Sequence, residues 1–106
     1  MVEKVLFHGV PSHTAEADLT TGPGSGKVWV VTALWVVNTN AETKKLTLKH
    51  YLDASNTRVI IPNTGFPATQ TEIIGPLVIQ NGQKIKAEQE TENAIEIIAY
   101  GLEGDA

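Results

Sequence analysis

Lys27-Val28-Trp29-Val30-Val31-Thr32-Ala33-Leu34-Trp35-Val36-Val37-Asn38 is the most apolar run of the chain and carries both of its tryptophans. Successive side chains of a strand point to opposite faces. On that period Val28, Val30, Thr32, Leu34 and Val36 share one face, and Trp29, Val31, Ala33, Trp35 and Val37 share the other. Both faces are apolar, so the strand needs cover on two sides. The core of its own fold supplies one cover. Either the N-terminal segment or another chain supplies the second.

On the C-terminal side, residues 39–43 form a polar turn. Lys44–Asp53 then alternates, with Leu46, Leu48 and Leu52 on one side and Lys45, Thr47, Lys49 and Tyr51 on the other. That is the pattern of a half-buried antiparallel strand. A short strand at 58–61 follows, which Pro62 ends or places at an edge. Residues 69–74 and 77–80 read as one strand broken by Gly75-Pro76. Asn81-Gly82 lies between two strand-like runs and signals a hairpin, because both residues tolerate positive φ. The return strand, 83–90, places Ile85 and Ala87 inward. In the last strand, 94–100, Ile95, Ile97 and Ala99 oppose Glu96, Ile98 and Tyr100.

On the N-terminal side, residues 2–7 suit a first strand anchored by Val2 or Val5 and Phe7. Residues 8–26 end in a glycine-rich run and read as an extended arm, with a short helix over 14–19, capped by Thr14, as an option. The expected fold is all-β: a single antiparallel β-sandwich of about seven strands, immunoglobulin-like or jelly-roll-like. Its expected division is an N-terminal strand and arm over 1–26 and a sandwich over 27–106.

The 106 residues suit one domain that buries a core without disulfides or metal. Cysteine is absent, which excludes thiolate metal sites. The net charge is −4, with Glu88, Glu90, Glu92, Glu96, Glu103 and Asp105 clustered late against Lys86 alone. No basic stripe is present, so no nucleic-acid partner is expected. The first seven residues lack the apolar core of a signal peptide, and the 27–38 run is too short and β-branched for a membrane helix. The expectation is a soluble protein made in the cytoplasm, with no membrane partner.

Three motif-like stretches fail on inspection. Gly22-Pro23-Gly24-Ser25-Gly26-Lys27 looks like a phosphate loop, but Thr21 holds the first glycine position and Val28 the Ser/Thr position. A strand also follows where a helix N-terminus is required. Ile61-Pro62-Asn63-Thr64-Gly65 resembles a sorting signal, yet it lies mid-chain and reads as a turn. His8 and His13 lack the spacing of a zinc helix, and His50 shares the inward phase of Leu46 and Leu48, so no metal or other cofactor is expected. Ser12, Ser25 and Ser55 lie on loops with no nucleophile elbow, and no carboxylate pair sits in an apolar setting that would raise a pKa. Catalysis is not expected.

The stretches Val30-Val31-Thr32-Ala33-Leu34-Trp35-Val36-Val37-Asn38-Thr39, Leu46-Thr47-Leu48-Lys49-His50-Tyr51-Leu52, 75–87 and 95–103 together resemble small virion proteins of tailed bacteriophages. That resemblance implies a compact β-sandwich that decorates a capsid or connects neck and tail parts. It implies a location in the virion, other capsid, neck or tail subunits as partners, and arms that reach neighbouring subunits. It assigns no functional residue. A strand with two apolar faces also suggests a homo-oligomer. The candidate contact residues are Trp29, Val31, Trp35 and Val37 on the strand, with Leu19, Gly22 and Gly24 on the arm. The alternative is a carbohydrate-binding module stacking sugars on Trp29 or Trp35 with Tyr51.

Overall fold

The computed structural model describes residues 3–106. Val2, one of the anchors expected for the first strand, lies outside the described residues. The described residues form nine strands: β1 (Glu3–Gly9), β2 (Ala17–Thr20), β3 (Lys27–Asn38), β4 (Lys44–Asp53), β5 (Asn56–Phe66), β6 (Thr71–Ile74), β7 (Leu77–Gln80), β8 (Lys84–Gln89) and β9 (Ile95–Asp105). The protein is all-β, a sandwich of two antiparallel sheets. Sheet A runs β1-β9-β3, with β6 and β7 both on the far side of β3. Sheet B runs β2-β8-β4-β5.

β6 and β7 are two halves of one interrupted strand. β7 pairs with Val28 to Val31 and β6 with Leu34 to Val37. The break at Gly75-Pro76 falls beside Thr32, where a Cβ on Gly75 would lie 3.0 Å from the Thr32 carbonyl oxygen. The backbone approaches too closely there for a side chain to fit without displacement. With β6 and β7 joined, the strands pair from the outside inward: β1 with β9, β2 with β8, β3 with β6–β7, and β4 with β5. The chain is thus one long hairpin, tipped by the β4–β5 turn and rolled over itself.

The core lies between the sheets. Val31, Leu34, Val36, Ile79, Ile97 and Ala99 of sheet A face Leu46, Leu48, Ile85 and Ala87 of sheet B, all essentially inaccessible to water. Fully burying one large aliphatic side chain contributes roughly 1.5–3 kcal/mol. Two buried amides close one end of the sandwich, where Asn38 lies opposite Ile95. Asn38 Nδ2 donates to the carbonyls of Glu42 and Phe66 at 3.0 and 2.9 Å, and its Oδ1 accepts the Asn40 N–H at 2.9 Å. Gln89 Nε2 donates to the Pro11 carbonyl at 2.6 Å. Its Oε1 accepts the N–H groups of Ala94 and Ile95 at 3.1 and 2.7 Å.

The N-terminal segment is built into the sandwich and does not form an extended arm. Ser12 bridges to Glu88, and its carbonyl accepts the Gln89 N–H at 2.8 Å. β2 occupies part of the region where a helix was an option, and pairs with β8. The cause is the bare edge of β8, whose unpaired N–H and C=O groups need partners. Leu19 turns its side chain towards the core and meets Gly9. Further on, Pro23 is buried and its carbonyl accepts from Asn81 Nδ2 at 3.1 Å.

Two other expectations change. Asn81-Gly82 does turn the chain, with Gly82 at φ 86° and the Gln83 N–H bonded to the Gln80 carbonyl at 3.0 Å. The strands it joins, however, lie in different sheets. β7 has β3 as its partner and β8 has β4 and β2, so the turn crosses between layers where a hairpin was expected. The stretch read as a turn after Pro62 is instead the second half of β5, with Pro62 on the open edge of sheet B where its missing N–H is tolerated.

Candidate functional site

Alternation along β3 fails at one residue. Against β9, Val31 pairs with Gly101 and Ala33 with Tyr100, which leaves Thr32 as a bulge. An extra residue reverses the phase of everything beyond it. Trp29 and Val31 point into the core before the bulge, and Leu34, Val36 and Asn38 do so after it. Trp35 and Val37 are therefore turned outward. Thr32 tethers the distortion by donating its hydroxyl hydrogen to the Tyr100 carbonyl at 3.2 Å.

The outer face of sheet A is consequently apolar. One row crosses the sheet through His8, Ile98, Trp35 and Ile73, and the next passes through Val5, Tyr100 and Ala33. Beyond the bulge, Leu102, Val30 and Val78 form a third row. Ile73 is 60% exposed, Val5 51%, Val78 46% and Trp35 37%. Trp35 meets the Tyr100 ring edge-on, with centroids 5.8 Å apart and planes at 67°. Among the described residues no segment crosses this face, because the N-terminal chain runs along sheet edges.

Few charges lie on that face: His8 bonds Glu96, and Glu3 stands opposite Leu102. On the core-facing side of the same sheet, at the end of the sandwich beside Trp29, Lys4 reaches Glu103 at 3.4 Å and Lys27 bonds Asp105 at 2.7 Å. The Trp29 indole N–H, foremost, and Lys4 hold the Glu103 carboxyl below its ordinary value. Lys27 and Asp105 stabilise each other's charge, raising the lysine pKa and lowering the aspartate pKa.

The outer face of sheet B is of the opposite character. Lys49 pairs with Glu16 at 2.7 Å, and Lys84 and Lys86 each lie 3.5 Å from Asp18. Both of the latter ammonium groups also sit over the Tyr51 ring, at 5.5 and 5.3 Å. This is a solvated face tied by ion pairs.

The structure separates the residues proposed from the sequence. Trp29 is core, stacked on Phe7 with ring centroids 6.0 Å apart and donating its indole N–H to Glu103 at 3.0 Å. Val31 is fully buried. Trp35 and Val37 remain on the outer face. Leu19 packs on the core, Gly22 (φ 79°) lies where a Cβ would collide with the Gln83 carbonyl, and Gly24 is exposed with nothing near it. The sugar platform does not assemble: Tyr51 lies outside sheet B, Trp35 outside sheet A and Trp29 between them. Val5, Ile73, Val78, Ile98 and Tyr100 are the residues of this outer apolar face that sequence reasoning missed. The readable signal was the apolar pair Ile98 and Tyr100 on the nominally wet side of the last strand.

Among the described residues, no cluster of three or more His, Asp or Glu side chains is placed to hold a metal. His50 Nε2 donates to Gln83 Oε1 at 3.0 Å, an oxygen that also accepts the Gln80 N–H. An open cavity of about 230 Å³ lies beside it, walled by Ile60, Ile74, Pro76 and Leu77. Comparison with protein-family models, curated proteins and solved structures returns no match.

Proposed function

We propose that this protein is a non-enzymatic structural subunit of a bacteriophage virion. In this reading it is a capsid decoration (cement) protein or a neck or tail adaptor that works by burying the outer face of sheet A. The observation that carries the reading is the contrast between the two outer faces, one ion-paired and the other apolar and uncovered. A contiguous exposed apolar face rimmed by polar groups marks an interaction surface.

We read the architecture as a jelly roll. With β6 and β7 counted as one strand, four antiparallel pairs roll up into two four-stranded sheets, and β1 and β2 fall in different sheets. In the immunoglobulin order the first two strands are neighbours. Jelly rolls recur in viral capsid and lectin domains, which supports the virion reading without choosing between head, neck and tail. A lectin role would rest on Trp35 and Tyr100, whose edge-on rings offer no flat platform for a sugar.

Co-sedimentation of the purified protein with virions, and with isolated heads and tails, tests the proposal. Saturable binding that is lost in Ile73→Lys supports it. Absence of binding to every virion part, or tryptophan quenching on a glycan array, overturns it.

A further inference from the structure

We infer that the cavity beside His50 is a binding site for a small carboxylic acid with a compact apolar body. It lies between the sheets and shares no residue with the outer face of sheet A, so it is independent of the contact proposed there.

The fold opens the site. β5 ends sheet B and β6–β7 ends sheet A, and the cavity lies between these two edges at the Gly75-Pro76 break. Ile60, Ile74 and Leu77 pack against the core there without being fully buried. They leave a notch of about 230 Å³, below the roughly 300–1,000 Å³ of sites for drug-sized ligands. That space suits a ligand whose body is the size of one branched side chain.

The two walls differ in character. Ile74, Pro76 and Leu77 make the sheet A wall apolar. Sheet B contributes His50 and Arg58, which lie opposite each other on β4 and β5 and so share a face. His50 is only 8% exposed. The Gln83 amide oxygen bonded to its Nε2 can only accept, so Nε2 carries a hydrogen. Nδ1 has no partner among the described residues, where no buried side-chain nitrogen or oxygen is left unsatisfied. Nδ1 is therefore open to solvent, through the cavity that its ring lines.

A carboxyl group answers both polar neighbours. The Arg58 guanidinium presents a planar fork of N–H donors that matches a carboxylate. Nδ1 of the neutral ring is an acceptor, so the complex holds one proton between it and the nearer carboxyl oxygen. An acid that is ionised in solution takes up that proton on binding. Among the described side chains, Arg58 is the charged or titratable group that faces His50. Gln83 and Ile85 beside the ring, and Ile74, Pro76 and Leu77 across the cavity, carry no charge.

A free acid fits this site better than the end of a peptide. Extended peptides bind by adding a strand to an open sheet edge, and both edges here are irregular. Gly75-Pro76 breaks β6–β7, and β5 carries Pro62 and shifts its register against β4 at Ile60.

Calorimetric titration with isocaproate at mildly alkaline pH, read alongside histidine-ring NMR, tests the site. Isocaproate should bind saturably, shift the His50 ring signals and leave those of His8 and His13 in place. Titration in buffers of different ionisation enthalpy should show proton uptake. The corresponding alcohol, and acetate, which lacks the apolar body, should each bind at least about tenfold more weakly. Arg58→Gln should weaken isocaproate to a similar degree, and because Arg58 is exposed the circular dichroism spectrum should not change. The alcohol comparison on unmodified protein makes the same distinction without a variant. Absence of saturable binding, equal affinity for the alcohol, binding without proton uptake, or shifts shared by all three histidines overturns the inference.

Discussion

Trp29 and Trp35 stand six residues apart on one strand and point to opposite sides of their sheet. An uninterrupted strand would align them; the bulge at Thr32 divides their roles. Trp29→Ala should therefore cost about 3–5 kcal/mol of stability, as truncation of a buried aromatic does. Trp35→Ala should cost about 1 kcal/mol or less under dilute conditions. Urea denaturation of the two variants checks the contrast.

Gln89 joins segments that lie far apart in sequence. Gln89→Leu strands the N–H groups of Ala94 and Ile95 and the Pro11 carbonyl in a dry environment. Each unsatisfied buried group costs about 1–3 kcal/mol, so a loss of about 3 kcal/mol or more is expected. Hydrogen exchange should show faster opening of residues 10–20 in the variant.

Gly101 has no room for a side chain. A Cβ there would lie 2.0 Å from the Val30 carbonyl oxygen and 3.0 Å from Leu6 Cδ1. The first obstacle is backbone, so Gly101→Ala should exceed the roughly 1–3 kcal/mol of ordinary overpacking. Gly24→Ala, with nothing within 4 Å, is the control and should stay within about 0.5 kcal/mol of the parent. Thermal melts of both variants decide the matter.

Two ion pairs at the sandwich end and the hydrogen bonds of the β4–β5 turn shape the pH dependence. Glu103, Asp105 and Asp53 have folded-state pKa values below their ordinary ones, Asp53 chiefly through the Ser55 N–H and then the Asn56 amide. Their contribution is present above the unfolded carboxylate range and is lost as pH falls through the folded values. Lys27 is raised, so its contribution is complete below the ordinary lysine value and lost as pH climbs through the folded one. Asp105→Asn should flatten the acid limb and bring the Lys27 titration back towards its ordinary value. Denaturation against pH, with lysine side-chain NMR, checks both signs.

Several features of the fold were legible because they depend on side-chain period alone. The inward sets Leu46 and Leu48, Ile85 and Ala87, and Ile95, Ile97 and Ala99 alternate cleanly and are all buried. The break at Gly75-Pro76 was equally readable from the missing N–H. The bulge was not, because Thr32 fits either face and the irregularity exists only in its pairing with β9. Asn81-Gly82 announced a reversal, since positive φ is a local property, but no local property says which sheet receives the returning strand. The anchoring of residues 8–26 was hidden for a similar reason. The groups that hold this segment, on Gln89 and Asn81, belong to distant parts of the chain. The outer face of sheet A combines both difficulties, since Trp35 reaches it through the bulge and Ile73 and Val5 arrive from strands at opposite edges.

The pairing of β1 with β9 governs how the protein folds during synthesis. Glu3 lies opposite Leu102, and Gly9 opposite Ile97. The central strand β3 also takes β9 as one of its neighbours. Sheet A therefore cannot close on the ribosome until nearly the whole described chain has been made. Until then the twelve residues of β3 have no partner on that side. Contacts this distant in sequence place all-β proteins among the slow folders, in milliseconds to seconds, and leave apolar strand edges exposed to aggregation in the interval. The nascent chain, with Val28 to Val37 uncovered on both faces, should depend on chaperone protection more than the finished fold does.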